Sequence, residues 1–195
     1  MQASAQPPAA AVGTSPAPVP APAAARHRRD LVLGVSPFGV PDPRLVAALC
    51  HAGAWGVLDL GRDPVAALAA LHTTARLVTG RFGIRLAHPG LVTPGDLAAF
   101  ADRIGLVLLP APPPGDGPGR AELAALPGAR RLVEVTTVEQ ARSAATAGAH
   151  GLVARGNEAG GRVGELGAFV LLQQLLDGVG RDLPVWCWGG IGVRT

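Results

Sequence analysis

Short apolar runs recur along the chain at Leu31 (LVLGV), Gly56 (GVLDL), Phe82 (FGIRL), Leu106 (LVLLP), Leu132 (LVEVT), Gly151 (GLVA) and Val185 (VWCW). Most begin roughly 25 residues after the one before, the length of a strand followed by a helix. They are nearly continuous in apolar character, as expected of strands covered on both faces. Between them lie segments with helical spacing. Residues 43–54 place Leu45, Val46, Leu49 and Ala52 together, with Pro43 allowed in a first turn and Gly53 near the stop. Asp63-Pro64 opens a second helix, with Val65, Leu68 and Leu71 on one face. Thr93-Pro94-Gly95-Asp96 opens a third, whose apolar face holds Leu97, Phe100 and Ile104. A short helix over residues 120–126, one starting at Thr137 and one over residues 165–176 complete the series.

Strict alternation of strands and helices predicts an α/β fold, either a doubly wound sheet or a (β/α)₈ TIM barrel. Even spacing favours the barrel, although a doubly wound sheet gives much the same pattern. Seven strands are visible and a barrel has eight, so the expectation is an incomplete barrel: a fragment of a longer protein, or an open one. Residues 1–29 carry Pro7, Pro8, Pro16, Pro18, Pro20 and Pro22 among alanines, which predicts a disordered tail or linker. The barrel domain is assigned to residues 30–195.

Composition narrows the functional classes. The chain has 195 residues, of which 48% are hydrophobic, enough for one sizeable core. With no lysine, a net charge of only +3 gives a pI near 10. The arginines are scattered and have no interleaved aromatics, which argues against a nucleic-acid partner. Cys50 and Cys187 lie far apart and match no metal-ligand spacing, so buried free thiols in a reducing cytoplasm are expected and no metal is assigned. No apolar run approaches the ~20 residues of a transmembrane helix, and no membrane partner is expected.

In folds of this kind the working residues follow the C-terminal ends of strands. That rule selects the loop of Ser36 and Phe38 after the first strand, Arg85 and His88 after the third, residues 155–164 after the sixth, and Gly189-Gly190 after the seventh. Asp59, late in the second strand, either orients a ligand or caps the next turn. His88 is a candidate base; His51, His72 and His150 fall in or beside helices and are read as structural. Residues 151–165, reading GLVARGNEAGGRVGE, meet a glycine-rich turn framed by Arg155 and Arg162. Glycine lacks the Cβ that keeps backbone N–H groups away from a ligand.

The stretch ARGNEAGGR, the helix after it, and PVWCWGGIG together resemble the nitronate monooxygenase (2-nitropropane dioxygenase) family. Members are FMN-dependent (β/α)₈ barrels with AQG-x-EAGGH after strand 6 and AAGGI after strand 7, and FGIRL stands where they have FGVNL. SPFGVPDPRLVAAL and EAGGRVGE are also similar to flavin-barrel domains at the N-terminus of modular polyketide synthases. The resemblance implies FMN as cofactor, with Gly160 and the Gly189-Gly190 pair meeting it, the pair at its phosphate. Ser36, Phe38, Arg85, Arg155 and Gly161 are placed at the same site. Arg155 replaces a flavin-contacting Gln and Arg85 an Asn.

Arg162 replaces the family's catalytic histidine, and arginine stays protonated and cannot take a proton. It is instead a candidate to hold an anion, such as a preformed nitronate or a phosphopantetheine phosphate. Three readings follow: an FMN-dependent, nitronate-monooxygenase-like oxidoreductase within a larger polyketide or fatty-acid synthase; a flavin-dependent enoyl reductase of such a synthase acting on acyl thioesters carried by its modules; and a non-catalytic barrel that docks or spaces modules.

Overall fold

The computed structural model describes residues 32–110, 121–179 and 183–190. The Ala/Pro-rich stretch 1–29, most of the Pro/Gly loop at 110–119, and Ile191-Gly192 lie outside them. Seven strands form one sheet: β1 (Leu33–Val35), β2 (Trp55–Asp59), β3 (Phe82–Arg85), β4 (Ile104–Leu109), β5 (Arg130–Val135), β6 (Gly151–Arg155) and β7 (Val185–Trp188). All neighbouring pairs are parallel. Their spatial order is β1-β2-β3-β4-β5-β6-β7. A doubly wound sheet reverses its strand order at a switch point. Here every strand pairs with its successor, as in a (β/α)₈ barrel, and the described part is a seven-stranded, incomplete TIM-barrel-like fold.

The helices between the strands are α1 (Pro43–His51), α2 (Pro64–Leu77), α3 (Pro94–Ala98), α4 (Ala121–Ala124), α5 (Val138–Thr146) and α6 (Ala168–Gly178). Local chemistry fixes their starts. Asp42 and Asp63 each accept two backbone N–H bonds from the first turn of α1 and α2, with proline at the next position. Thr93 and Asp96 form a reciprocal capping box on α3, and Thr137 caps α5. The third helix is shorter than its apolar spacing predicts. Ile104 is not on its face but opens β4, because the chain turns back through Phe100 to Arg103 and feeds the next strand.

Alternation along the strands sorts side chains into two environments. Leu58, Phe82, Ile84, Val107 and Leu109 point outward and pack on α1 to α4, while Val133, Val135, Leu152 and Ala154 pack on α5 and α6. The opposite positions, Trp55, Val57, Leu106, Leu108, Leu132 and Val153, form a separate interior cluster with Leu33, Val35, Trp186 and Trp188 against it. Interior side chains stack in layers in such barrels. Two positions further along β2, β5 and β6, and at the end of β3, the interior layer changes character. It becomes Asp59, Glu134, Arg155 and Arg85, all buried.

Candidate functional site

Four buried charges from four strands meet at the C-terminal end of the sheet. Arg85 donates through Nη1 to Asp59 at 2.7 Å, and through Nε and Nη2 to the two oxygens of Glu134 at 2.5 and 3.1 Å. Arg155 donates through Nη1 to Glu134 Oε2 at 2.7 Å and through Nη2 to the Gly160 carbonyl. Burial works against the Arg85 charge, but the bonds and charges of Glu134 and then Asp59 outweigh it and hold its pKa above the ordinary value. The second oxygen of Asp59 accepts from Gly39 N and Gly61 N, binding the loops after β1 and β2 to the same cluster. Asp59 therefore both pairs with Arg85 and ties turns.

Aromatic rings cover the two cations. Phe38 lies 4.6 Å from the Arg85 guanidinium and 5.2 Å from that of Arg155, and Trp188 lies 4.9 Å from Arg155. The rings of Phe38 and Trp188 are 5.4 Å apart and tilted. One donor of the cluster stays unused: Arg155, only 2% exposed, has no acceptor for its Nε–H among the described residues. A buried polar group left so costs about 1–3 kcal/mol and more if charged, so a native structure that keeps one calls for a reason.

Beside this cluster is a cavity of about 560 Å³, within the range of small-molecule sites. Of the residues picked out from the sequence, Phe38, Asp59, Arg85, His88, Arg155, Gly161 and Arg162 line it, joined by Arg62. Arg62 and Arg162 are exposed and have no carboxylate partner among the described residues. Four arginines against Asp59 and Glu134 leave the site with two positive charges.

Other sequence-selected residues sit elsewhere. Ser36 is buried and is spent on the fold: its N–H bonds Val57 O at 2.9 Å and its Oγ accepts from Asp59 N at 2.8 Å. Gly160, Gly189 and Gly190 do not line the cavity. Gly189 (φ 97°) packs on the turn after β6, where an added Cβ would lie 2.7 Å from Ala159 N. The N-terminus of α6, a natural anion site, already receives a carboxylate. Both oxygens of Glu158 accept from Ala168 N, at 3.2 and 3.1 Å. Burial and the nearby Glu158 push the Cys187 thiol up, so it is a poor nucleophile. Cys50 and Cys187 form no disulfide with each other and are half-buried rather than fully buried. His72 meets Phe100 edge-on and His150 accepts from Arg131 N, both structural contacts.

Sequence reasoning missed Glu134 altogether. Its signal was present: β2, β3, β5 and β6 each carry one charge late in the strand, two acids and two bases, although β5 also opens on Arg130 and Arg131. A strand covered on both faces tolerates a charge only if it is paired.

No family model matches the chain. A dehydrogenase of Mycobacterium tuberculosis, named for a hydroxy-methyl-oxo-octahydro-indene-carboxyl-CoA, is 30% identical over 164 residues, covering 77% of this chain and 42% of the relative. Among solved structures, a nitroalkane oxidase from Streptomyces ansochromogenes superposes with a TM-score of 0.65 at 26% identity, over 84% of this chain and 60% of the other. FabK from Thermotoga maritima superposes at 0.64 with 25% identity, over 84% and 52%. The chain thus spans about half the length of the proteins it matches. By their names the first two are a dehydrogenase and an oxidase, so the likeness is to oxidoreductases.

Proposed function

We propose that this chain forms the flavin-holding part of an FMN-dependent oxidoreductase of the nitronate monooxygenase type. The orphaned Nε–H of Arg155 carries the reading. It is a fixed, buried donor on a residue that lines the cavity, suited to a carbonyl or ring nitrogen of a planar cofactor. The residues fit such a group: the cavity volume is adequate, Arg85 and Arg155 supply donors, and Phe38, packed on Trp188, supplies aromatic surface. When bound, the flavin supplies the electron transfer that no side chain here offers.

The chain's own residues then bind and orient. Arg155 and Arg85 hold the ring edge. Arg62 and Arg162 at the cavity edge take the negative charge of a phosphate or of an anionic substrate. The Gly189-Gly190 turn, which the resemblance puts at the phosphate, is already needed for packing on Ala159, and Glu158 already fills the α6 N-terminus. Arg162 cannot remove a carbon-bound proton, and His88 is the one histidine among the residues that line the cavity. The substrate favoured is therefore one already deprotonated, a preformed nitronate, with His88 as the group that moves any proton.

The second enzyme reading, reduction of an enoyl thioester, is favoured by a different observation: the relative is named for a CoA thioester. A polyketide or fatty-acid synthase as the setting, with acyl-carrier modules as partners and the cytoplasm as its place, belongs to the same proposal. Visible spectra of the purified protein with added FMN test the core of it. Bound-flavin bands with saturable titration support it; a folded protein that FMN does not titrate overturns both enzyme readings and leaves a docking or spacing role. Anaerobic mixing of the reduced protein with an enoyl thioester, set against aerobic turnover of a nitronate, separates the two.

A further inference from the structure

We propose that Glu134 is a positioning residue: one carboxylate outside the cavity fixes both arginines of its floor and sets the charge a bound flavin meets. The ligand in this inference rests on the flavin reading above; the mechanics rest on geometry alone. Glu134 is 3% exposed and does not line the cavity, while Arg85 and Arg155, which it holds, both do. Its Oε2 accepts from both guanidiniums at once, at 3.1 Å from Arg85 Nη2 and 2.7 Å from Arg155 Nη1. The three residues lie 49 and 21 positions apart in sequence, so this carboxylate is what couples β3 to β6 across the sheet interior. Without it the remaining hydrogen-bond acceptor among the described residues is the Gly160 carbonyl for Arg155 and Asp59 for Arg85.

The charge follows from the same count. Arg85 and Arg155 are balanced by Asp59 and Glu134, so the floor offers N–H donors without net charge. Glu134→Gln keeps the size and one acceptor oxygen but leaves one positive charge uncompensated in a low-dielectric site. An uncompensated cation favours the anionic reduced form of a flavin over the neutral oxidised form. Glu134→Asp keeps the charge and shortens the reach, which separates charge from geometry.

The test compares the whole chain with these two variants. Affinities for oxidised FMN and for anaerobically reduced FMN are measured in each. The expected result is a ratio of reduced to oxidised affinity that rises about ten-fold in Glu134→Gln, equivalent to about 30 mV for a two-electron couple, and stays at the parent value in Glu134→Asp. An unchanged ratio in Glu134→Gln overturns the charge-setting role, which loss of packing would not mimic. If the parent binds no FMN, the flavin reading itself has failed. The positioning role is then read from the ¹⁵N spectrum of the apo-protein. Slowly exchanging Nε–H signals of Arg85 and Arg155, assigned by Arg85→Lys and Arg155→Lys, are expected to move together in Glu134→Gln and in Glu134→Asp. Signals that stay in place, or only one that moves, overturn it.

Discussion

The Phe38 ring lies 4.6 Å from the Arg85 guanidinium, so a side chain carried on the loop after β1 covers a cation planted at the end of β3. The same ring reaches Arg155 from β6 and Trp188 from β7. At 41% exposed it faces solvent on one side and the buried charge cluster on the other. Each such cation–π contact is worth about 0.5–1 kcal/mol when exposed. Phe38→Ala is therefore expected to lower stability by about 1–2 kcal/mol in urea melts. It also removes the ring that lies tilted against Trp188 at 5.4 Å, so the tryptophan emission of the folded protein should change. An unchanged spectrum would mean that the two rings do not meet in solution.

Buried charges respond asymmetrically to substitution. Removing one partner of a buried pair leaves an uncompensated charge and costs about 3–5 kcal/mol. Glu134→Leu strands Arg155 and takes one of the two carboxylates from Arg85, and is expected toward the top of that range. Replacing Asp59, Arg85, Glu134 and Arg155 together by apolar residues is expected to cost far less than the sum of the single changes. Denaturant unfolding of the single and quadruple variants checks this; additive losses would contradict it.

Two glycines of the loops separate packing from backbone strain. Gly160 has φ 70° with open space where a Cβ would go, whereas Gly189 has φ 97° and an added Cβ 2.7 Å from Ala159 N. Gly160→Ala should lose only the left-handed backbone preference, about 1–2 kcal/mol. Gly189→Ala adds a clash with main chain and should lose distinctly more. Thermal melts that rank the two the other way would show that the β7 turn relaxes freely.

Stability is expected to carry a histidine signature. Burial, then the charges of Arg131 and Arg130, lower the His150 pKa, and its Nδ1 accepts from Arg131 N at 3.0 Å. The neutral form is thus the one the fold prefers. Its contribution is full above the unfolded value of about 6.5 and is lost as pH falls through the lower folded value. The urea midpoint should drop between pH 7 and pH 5 more steeply in the parent than in His150→Gln. Parallel pH profiles would remove His150 from the account.

Arg162 is the cleanest functional probe, being exposed and free of partners among the described residues. On the proposed nitronate-monooxygenase reading, Arg162→His places a base where a neutral nitroalkane would lose its proton. General-base catalysis typically contributes at least about 10²-fold, so turnover of nitroalkane should rise by that order, with nitronate turnover falling. Arg162→Gln should weaken anionic ligands without raising nitroalkane turnover.

The sequence by itself determined the seven apolar runs, the helices between them and their caps, because run length, alternation and capping are local properties. Asp42, Asp63, Thr93 and Thr137 start helices through partners two or three residues away. Two things only the tertiary structure decided. One is the strand order, since alternation of strand and helix is the same in a doubly wound sheet, and only pairing between distant runs distinguishes them. The other is the role of the charges late in β2, β3, β5 and β6. Each is a lone charge in an apolar run when read locally. Arg85 meets Asp59 across 26 residues and Glu134 across 49, and no local pattern announces which acid neutralises which base.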